Sequence, residues 1–456
     1  MSVLLCLTLF GVLAMVGSGF RWATLVPLLS GLGFVATAVL LLYGWNSNEH
    51  VLNGMLVLDN AALAFSLVVL LACSVTALAV QELTAAQPFK AEVQAVLLFA
   101  LIGAVVMTSY TNLLLLFLGI EIMALSSYVL TGLRKKDTLS NEAALKYFLM
   151  GAFSTAVLLL GMAFLYGASG SFELAAIAPK LTMQQPSALV LTGTVLMLSG
   201  MFFKVSVMPF QFWTPDVYQG APTIVTGFLA TAGKIAAFAA LLRLIEKGLF
   251  PLSEQLEWML APVVALTVVA GNLMALWQKS QKRMLAFSSI AHAGYLLLAL
   301  VVVNEMTADA VLFYSVAYLL AAFMAFVLLD LVEQHAGGDR VEHFNGMAKH
   351  HPLMAGAWTI AMLSLAGIPV TAGFMGKFYI FSTALSEGQV LLVVLSVVGS
   401  IASVYYYLRP VLAVFSDGGS WAGARVSVAR KVMVVALMFL TVFLGVVPSL
   451  LTDVLR

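Results

Sequence analysis

The sequence predicts an all-α polytopic membrane protein, and three observations carry that reading. Of 456 residues, 62% are hydrophobic and only 9% charged, far fewer charges than an ordinary soluble domain carries, and the mean hydropathy is +1.04. Apolar runs recur along the whole chain, each long enough to cross a hydrocarbon core of about 30 Å, which takes roughly 20 helical residues. The runs are continuous rather than short and alternating, which selects helices over barrel strands.

About 14 runs can be drawn, at 2–20, 23–44, 55–81, 93–109, 112–133, 143–167, 187–212, 222–245, 259–277, 284–303, 309–332, 353–384, 388–414 and 431–450. The first, SVLLCLTLFGVLAMVGSGF, lacks a basic segment before it and is followed directly by Arg21 and another apolar run, so it is expected to remain as a helix rather than leave as a signal peptide. Cys6 and Cys73 lie in separate runs with no CxxC anywhere, which fits packed thiols and argues against a disulfide framework or an iron–sulfur site. No Walker sequence, haem signature or nucleophile elbow occurs, and glycine clusters such as GLGF and GASGS read as helix packing or helix ends. His335, His343, His350 and His351 share a joint with Asp339 and Glu342, but their spacing matches no zinc pattern and reads as a solvated loop. The chain itself is expected to bind no cofactor, metal or nucleic acid.

Basic residues orient the chain. Joints after odd-numbered helices hold Arg21, Lys90, Arg134, Lys135, Lys136, Lys279, Lys282, Arg283, Arg340, Lys349, Arg409, Arg425, Arg430 and Lys431, whereas the opposite face holds Lys180, Arg243, Lys247 and Arg456. The positive-inside rule then places odd joints in the cytoplasm and both termini outside. The lysines left over, Lys146, Lys204, Lys234 and Lys377, fall inside predicted spans.

A charge at mid-bilayer costs about 2.5–3.5 kcal/mol on insertion scales, so such residues face a partner or a wet cavity. Lys146 is about one turn into its run, and snorkelling explains it as well as function does. Lys234, in GFLATAGKIAAFAALLRLI, sits near the middle of its run and cannot easily snorkel. Lys204 is soon followed by Pro209, and Lys377 follows Gly367, Pro369 and Gly373, so both long runs read as discontinuous helices. Broken helices at membrane depth are tolerated where they line a cavity, and in transporters they occupy corresponding positions of two repeats. Breaks in helices 7 and 12 imply two five-helix units, helices 4 to 8 and 9 to 13, the second inverted because each unit has an odd number of spans. The expected segments are 1–91 (three N-terminal helices), 92–246 (repeat 1), 259–415 (repeat 2) and 430–456 (C-terminal helix).

Glu121, in LLLLFLGIEIMALSSYVLTG, is the carboxylate nearest the middle of a span and the candidate counter-charge. Burial disfavours the charged forms of both partners and pairing restores them, so a Glu and a Lys held between these limits can exchange protons. His292, beside Ser288, Ser289 and Tyr295, is a further relay candidate, with simple packing the competing reading. Asp59 and Asp330 lie nearer span ends, where solvation or helix capping competes with function.

Several long motifs resemble, in order, those of the subunit N family of bacterial proton-pumping NADH:quinone oxidoreductase, the respiratory complex I. They are FLGIEIMALSSYVLTG, EAALKYFLMGAFSTAVLLLGMAFLYGASG, KVSVMPFQFWTPDVYQGAPTIVTGFLATAGKIAAF, KRMLAFSSIAHAGYLLL and LAGIPVTAGFMGKFYIF. The resemblance implies fourteen helices in two inverted repeats, with helices 7 and 12 broken. It also implies a proton path with Glu121 and Lys204 as input pair, Lys234 as central relay, Lys377 as output and Lys146 as a modulator of the pair. NADH, FMN, iron–sulfur clusters and quinone would belong to partner subunits, which include a sister antiporter-like subunit and small membrane subunits, in the bacterial inner membrane. One departure stands out: relatives often carry a histidine where this sequence has Gln211, which does not titrate. Two competing functions are a subunit of a multisubunit sodium/proton antiporter and a non-conducting structural membrane subunit.

Overall fold

The computed structural model describes all residues except 20–23, 84–89, 182–185, 420, 422, 424, 453 and 456. Arg21 and Arg456, used above to orient the chain, lie outside the described residues.

Unit 1 comprises residues 1–205 and 232–259. It opens with helices α1 (Ser2–Gly19) and α2 (Val26–Tyr43), then a hairpin of β1 (Glu49–Val51) and β2 (Leu56–Leu58), antiparallel with Glu49 opposite Leu58. The all-α expectation omitted this hairpin, which is too short to register as a periodic strand. Helices α3 (Asn60–Leu83), α4 (Lys90–Ser109), α5 (Leu113–Thr131), α6 (Thr138–Ser169), α7 (Leu174–Leu181) and α8 (Ala188–Val205) follow. Asn112 and Asp137 cap α5 and α6 by accepting from Leu114 N and Leu139 N, as short polar side chains do at helix starts. α6 and α8 cross closely because Gly161 and Gly193 face one another: a Cβ on Gly161 would lie 2.5 Å from Met197 N, and one on Gly193 would lie 3.1 Å from Gly161 O. Small residues take this role in membranes, where hydrophobicity gives no drive for helices to associate.

Residues 206–231 pack with unit 2 and contain α9 (Trp213–Gly220) and α10 (Thr223–Phe228). The chain then passes through a π-helical segment, Leu229–Gly233, into α11 (Lys234–Arg243) of unit 1, a second π segment, Leu244–Leu249, and α12 (Ser253–Leu276). Unit 2 continues with α13 (Gln281–Leu298), α14 (Thr307–Ala336), the short α15 (Met347–His350), α16 (Pro352–Ala366), α17 (Ala372–Ser386), α18 (Val390–Phe415), α19 (Val428–Val446) and the short α20 (Ser449–Thr452). α14 is predominantly apolar and its membrane-length window is wholly buried, in contact with α10, α16, α17 and α19, as expected of a helix hydrophobic on most of its faces.

Among the described residues, eleven helices are long and apolar enough to cross a membrane, so the protein is a multi-pass membrane protein. The difference from the runs drawn on the sequence has local causes. Residues 223–276 form one long helical stretch where two runs are drawn, the run at 353–384 is divided between α16 and α17, both short, and α13, which covers most of the run at 284–303, opens with Gln281, Lys282 and Arg283 and is too polar to be counted. Gly161→Val is expected to destabilise the α6–α8 crossing by about 3 kcal/mol through overpacking, read as a lower unfolding midpoint in detergent and less subunit in purified membranes.

Candidate functional site

The chain breaks its helices where the sequence placed prolines beside lysines. α8 ends at Val205, and Ser206 then takes a left-handed conformation (φ +63°) before a turn in which Phe210 N donates to Val207 O at 2.8 Å. α16 ends at Ala366, and before α17 begins, Val370 is also left-handed (φ +74°). Such backbone in a non-glycine residue costs on the order of 1–3 kcal/mol and is most unusual for a β-branched one. Both breaks therefore hold strain within one turn or two of an intramembrane lysine.

In unit 1, Lys204 occupies the last turn of α8 and its Nζ donates to Thr155 Oγ1 at 3.4 Å. Thr155, on α6, donates to Glu121 Oε1 of α5 at 2.8 Å, so the predicted Lys–Glu pair meets through a hydroxyl. That hydroxyl has a second acceptor, Gly151 O at 3.0 Å, and only one proton to donate. It can serve the carboxylate or the carbonyl but not both fully, which makes it a two-position contact sensitive to the charge of Glu121. Thr155 carried no sequence signal, since a threonine that bonds its own helix is common in membrane spans.

Lys234 is 3% exposed and begins α11 directly after the first π segment. π turns are rare and frequent at functional sites, and periodicity could not have revealed one. At the other end of α11, Arg243 donates to Asp59 (2.5 Å) and to Thr108 O (2.8 Å), while Asp59 also accepts from Ala62 N. Asp59 is thus both a cap and an ion-pair partner. Lys146 pairs with Glu142 at 2.7 Å, one turn earlier on α6, with 42% of its side chain exposed.

In unit 2, Lys377 is buried on α17 and spends its three ammonium protons on Leu365 O (3.0 Å), Ala366 O (2.8 Å) and Ser400 Oγ (2.8 Å). The two carbonyls are available because α16 stops there, leaving its last C=O groups without helical donors and the negative end of its dipole facing the cation. Gly367 ends α16 at φ +82°, and a Cβ there would lie 2.8 Å from Lys377 Cδ, so glycine is needed twice over. Lys377 also lies 5.2 Å from the centroid of the Tyr295 ring.

His292 is 5% exposed, with Nδ1 at 2.6 Å from Tyr314 Oη and Nε2 at 3.0 Å from Tyr407 Oη. Its hydroxyl neighbours are therefore two tyrosines from other helices. Ser288 joins through Tyr407, and Tyr295 packs edge-on with its hydroxyl toward Asn272. Tyr314 also lies against Gly376, the residue before Lys377. Gln211 is buried in the α8–α9 break, and among the described residues its amide oxygen accepts no hydrogen bond.

The WTPDVYQGAPT stretch has a physical role in unit 2. Lys282, 4% exposed on α13, donates to Ala221 O at 3.0 Å and lies 3.3 Å from Glu333, which also accepts from Thr223. Arg283 binds Asp216 (3.0 Å) and Gln219 (2.8 Å). Lys282 was read from sequence as a joint charge, yet it is a buried clamp on the α9–α10 junction. Asp330 is likewise buried (1% exposed) and pairs with Arg430 of α19 at 3.1 Å, so solvation does not account for it. Among the described residues, no group of three or more His, Cys, Asp or Glu could hold a metal ion. His335 and His351 lie against Trp421, with ring centroids at 4.7 and 6.0 Å.

Buried lysines beside paired helix breaks define an antiporter-like membrane subunit, and the comparisons agree. A profile of the NADH:quinone oxidoreductase and Mrp antiporter transmembrane family matches residues 110–403. NADH-quinone oxidoreductase subunit N of Cytophaga hutchinsonii is 35% identical, covering 100% of this chain and 99% of that protein. The subunit of the same name from Trichlorobacter lovleyi is 39% identical over 94% of this chain and 88% of its own length. A chain of respiratory complex I from Thermus thermophilus is 35% identical, with a TM-score of 0.84 over 100% of this chain and 99% of that one. A chain of the Mrp complex of Dietzia sp. shares the fold alone, at 23% identity with a TM-score of 0.88 over 99% of this chain and 95% of that one. The chain belongs to the NADH-quinone oxidoreductase subunit N family.

Removing one partner of a buried ion pair leaves the other charge uncompensated. Arg430→Met is expected to cost about 3–5 kcal/mol, and Asp330→Leu added to it to recover most of that loss; detergent-melting midpoints of the single and double variants check both.

Proposed function

We propose that this chain translocates protons as a membrane subunit of bacterial NADH:quinone oxidoreductase, through its buried Glu and Lys residues. The observation that carries the reading is the Lys204–Thr155–Glu121 chain at a strained helix break. NADH, FMN, iron–sulfur clusters and quinone belong to partner subunits in this proposal, and the chain sits in the inner membrane beside small membrane subunits and a sister antiporter-like subunit. Residues 92–246 and 259–415 act as two inverted repeats, each contributing one broken helix.

Quinone reduction elsewhere in the complex changes a charge near Glu121. While Glu121 is ionised, Thr155 donates to it and accepts from the Lys204 ammonium. Once Glu121 is neutralised, Thr155 turns to Gly151 O and the ammonium loses its counter-charge in a low-dielectric setting, which drives its proton onward. Lys234 receives the proton in neutral form and Lys377 takes it at a later step, with His292 and its tyrosines as a further relay group. Lys377 holds the proton on carbonyl dipoles rather than on a carboxylate, so nothing there neutralises it and release stays favourable. Lys146 and Glu142 adjust the field at α6. Each charge moved against 100 mV requires about 2.3 kcal/mol, a scale that one lost ion contact in a low-dielectric interior can match.

Lys204→Ala in the native host tests the reading, with assembly followed on native gels and pumping in inverted vesicles. We expect normal assembly with a loss of NADH-driven pumping of at least tenfold, and the same for Lys234→Ala; an assembled Lys204→Ala complex that pumps normally sinks the relay. Thr155→Val is expected to slow pumping about tenfold while Thr155→Ser keeps most of it, since the step needs the hydroxyl and not the methyl.

A further inference from the structure

The relay above ends at Lys377, which leaves open how a proton reaches the far side. Unit 2 carries a second buried acid group that the relay does not use. Asp309, in the first turn of α14, is 9% exposed. The start of that helix is held by other residues: Asn304 Oδ1 accepts from Met306 N at 2.9 Å, and Thr307 Oγ1 accepts from Asn304 N at 3.0 Å.

Asp309 lines a cavity of about 230 Å³ together with Met306, Ala310 and the hydroxyl-bearing Tyr379, Ser382, Thr383 and Thr452, a largely apolar wall with hydroxyl groups set in it. Lys377 lines a second cavity, of about 460 Å³, with Ser400 and Ser382 at its polar side and Phe378 and Leu385 at its apolar side. Ser382 lines both, so the two spaces adjoin one serine of α17. Each has room for water beyond the roughly 30 Å³ that one molecule occupies, and although both linings are largely apolar, Lys377, Ser382 and Ser400 in one and Asp309, Ser382, Thr383 and Thr452 in the other are polar partners for it. On the positive-inside reading, the joint before α14 and the joint after α17 lie on the same, periplasmic face, so passage from Lys377 past Ser382 to Asp309 runs toward the exit.

We propose that Asp309 is the release group of this subunit. The N–H bond of the Lys377 ammonium breaks, the proton crosses water at Ser382, and an O–H bond forms on the Asp309 carboxylate. Water on the periplasmic side then takes the proton, leaving a neutral amine and a carboxylate ready for the next cycle. A carboxylate suits this step because it is ionised when facing water and accepts a proton readily from a donor in a drier place. The proposal rests on Lys377 being the output of the relay.

The test is made in the assembled complex in inverted vesicles, measuring NADH-driven proton uptake for Asp309→Asn, Asp309→Glu, Ser382→Val and Lys377→Ala side by side. Asn preserves size and hydrogen bonding but does not titrate, so Asp309→Asn is expected to lose at least fivefold in uptake while Asp309→Glu retains more than half. Ser382→Val, which removes the shared hydroxyl without touching Asp309, is expected to lose about threefold or more. If Lys377→Ala abolishes uptake while Asp309→Asn pumps normally, this proposal alone falls. If Lys377→Ala pumps normally, the relay reading itself falls. Should Asp309→Asn fail to assemble, an assembled Ser382→Val complex with normal uptake overturns the proposal.

Discussion

An ammonium ion cannot be left in hydrocarbon without something to replace its water, and the architecture around each intramembrane lysine follows from that constraint. An unbroken helix offers nothing, because its carbonyls are already occupied by its own N–H groups. Breaking the helix changes this. At Lys377 the end of α16 supplies two free carbonyls, with Ser400 as the third partner. At Lys204 the solution differs: the hydroxyl of Thr155 stands between ammonium and carboxylate. One lysine is held by carbonyl dipoles and a serine hydroxyl and the other by a threonine hydroxyl that also donates to a carboxylate, so one kind of side chain is given two different environments.

Strain and burial are distributed accordingly. Ser206 and Val370 are both non-glycine residues in left-handed backbone at the two breaks, conformations that persist only where surrounding structure over-determines them. In unit 2 that surrounding structure is organised on α14, a helix enclosed on every side. Ion pairs tie neighbours to it at its C-terminal end: Arg430 of α19 reaches Asp330, and Lys282 of α13 reaches Glu333, which also accepts from Thr223 at the start of α10. Buried pairs of this kind contribute little net stability against an apolar alternative, but they penalise any arrangement that separates them. They fix which helices meet rather than how tightly they pack.

Much of the fold was legible because the bilayer makes few solutions available. Long apolar runs had to be helices, lysines within them had to have partners, and prolines beside those lysines had to mark breaks, so Glu121, Lys204, Lys234 and Lys377 could be singled out from residue type and depth alone. What could not be read was anything depending on which helix lies next to which. Thr155 looks like any threonine bonded to its own helix until α5 and α8 are placed beside it. Lys282 and Arg430 looked like loop charges because the positive-inside rule counts residues near span ends without asking which way they point. The π segment before Lys234 and the hairpin at residues 49–58 depend on single-residue register, which hydrophobic periodicity does not resolve.

The sequence by itself therefore determined the class of protein, the family and the titratable residues at membrane depth, since each follows from composition or from a local string of residues. Tertiary structure alone decided the connections: the hydroxyl joining Lys204 to Glu121, the two tyrosines that flank His292, the carbonyls that hold Lys377 and the serine shared by the cavities of Lys377 and Asp309. The physical reason is that a hydrogen bond across helices is set by distance and direction in space, and residues far apart in the chain carry no local signature of having met.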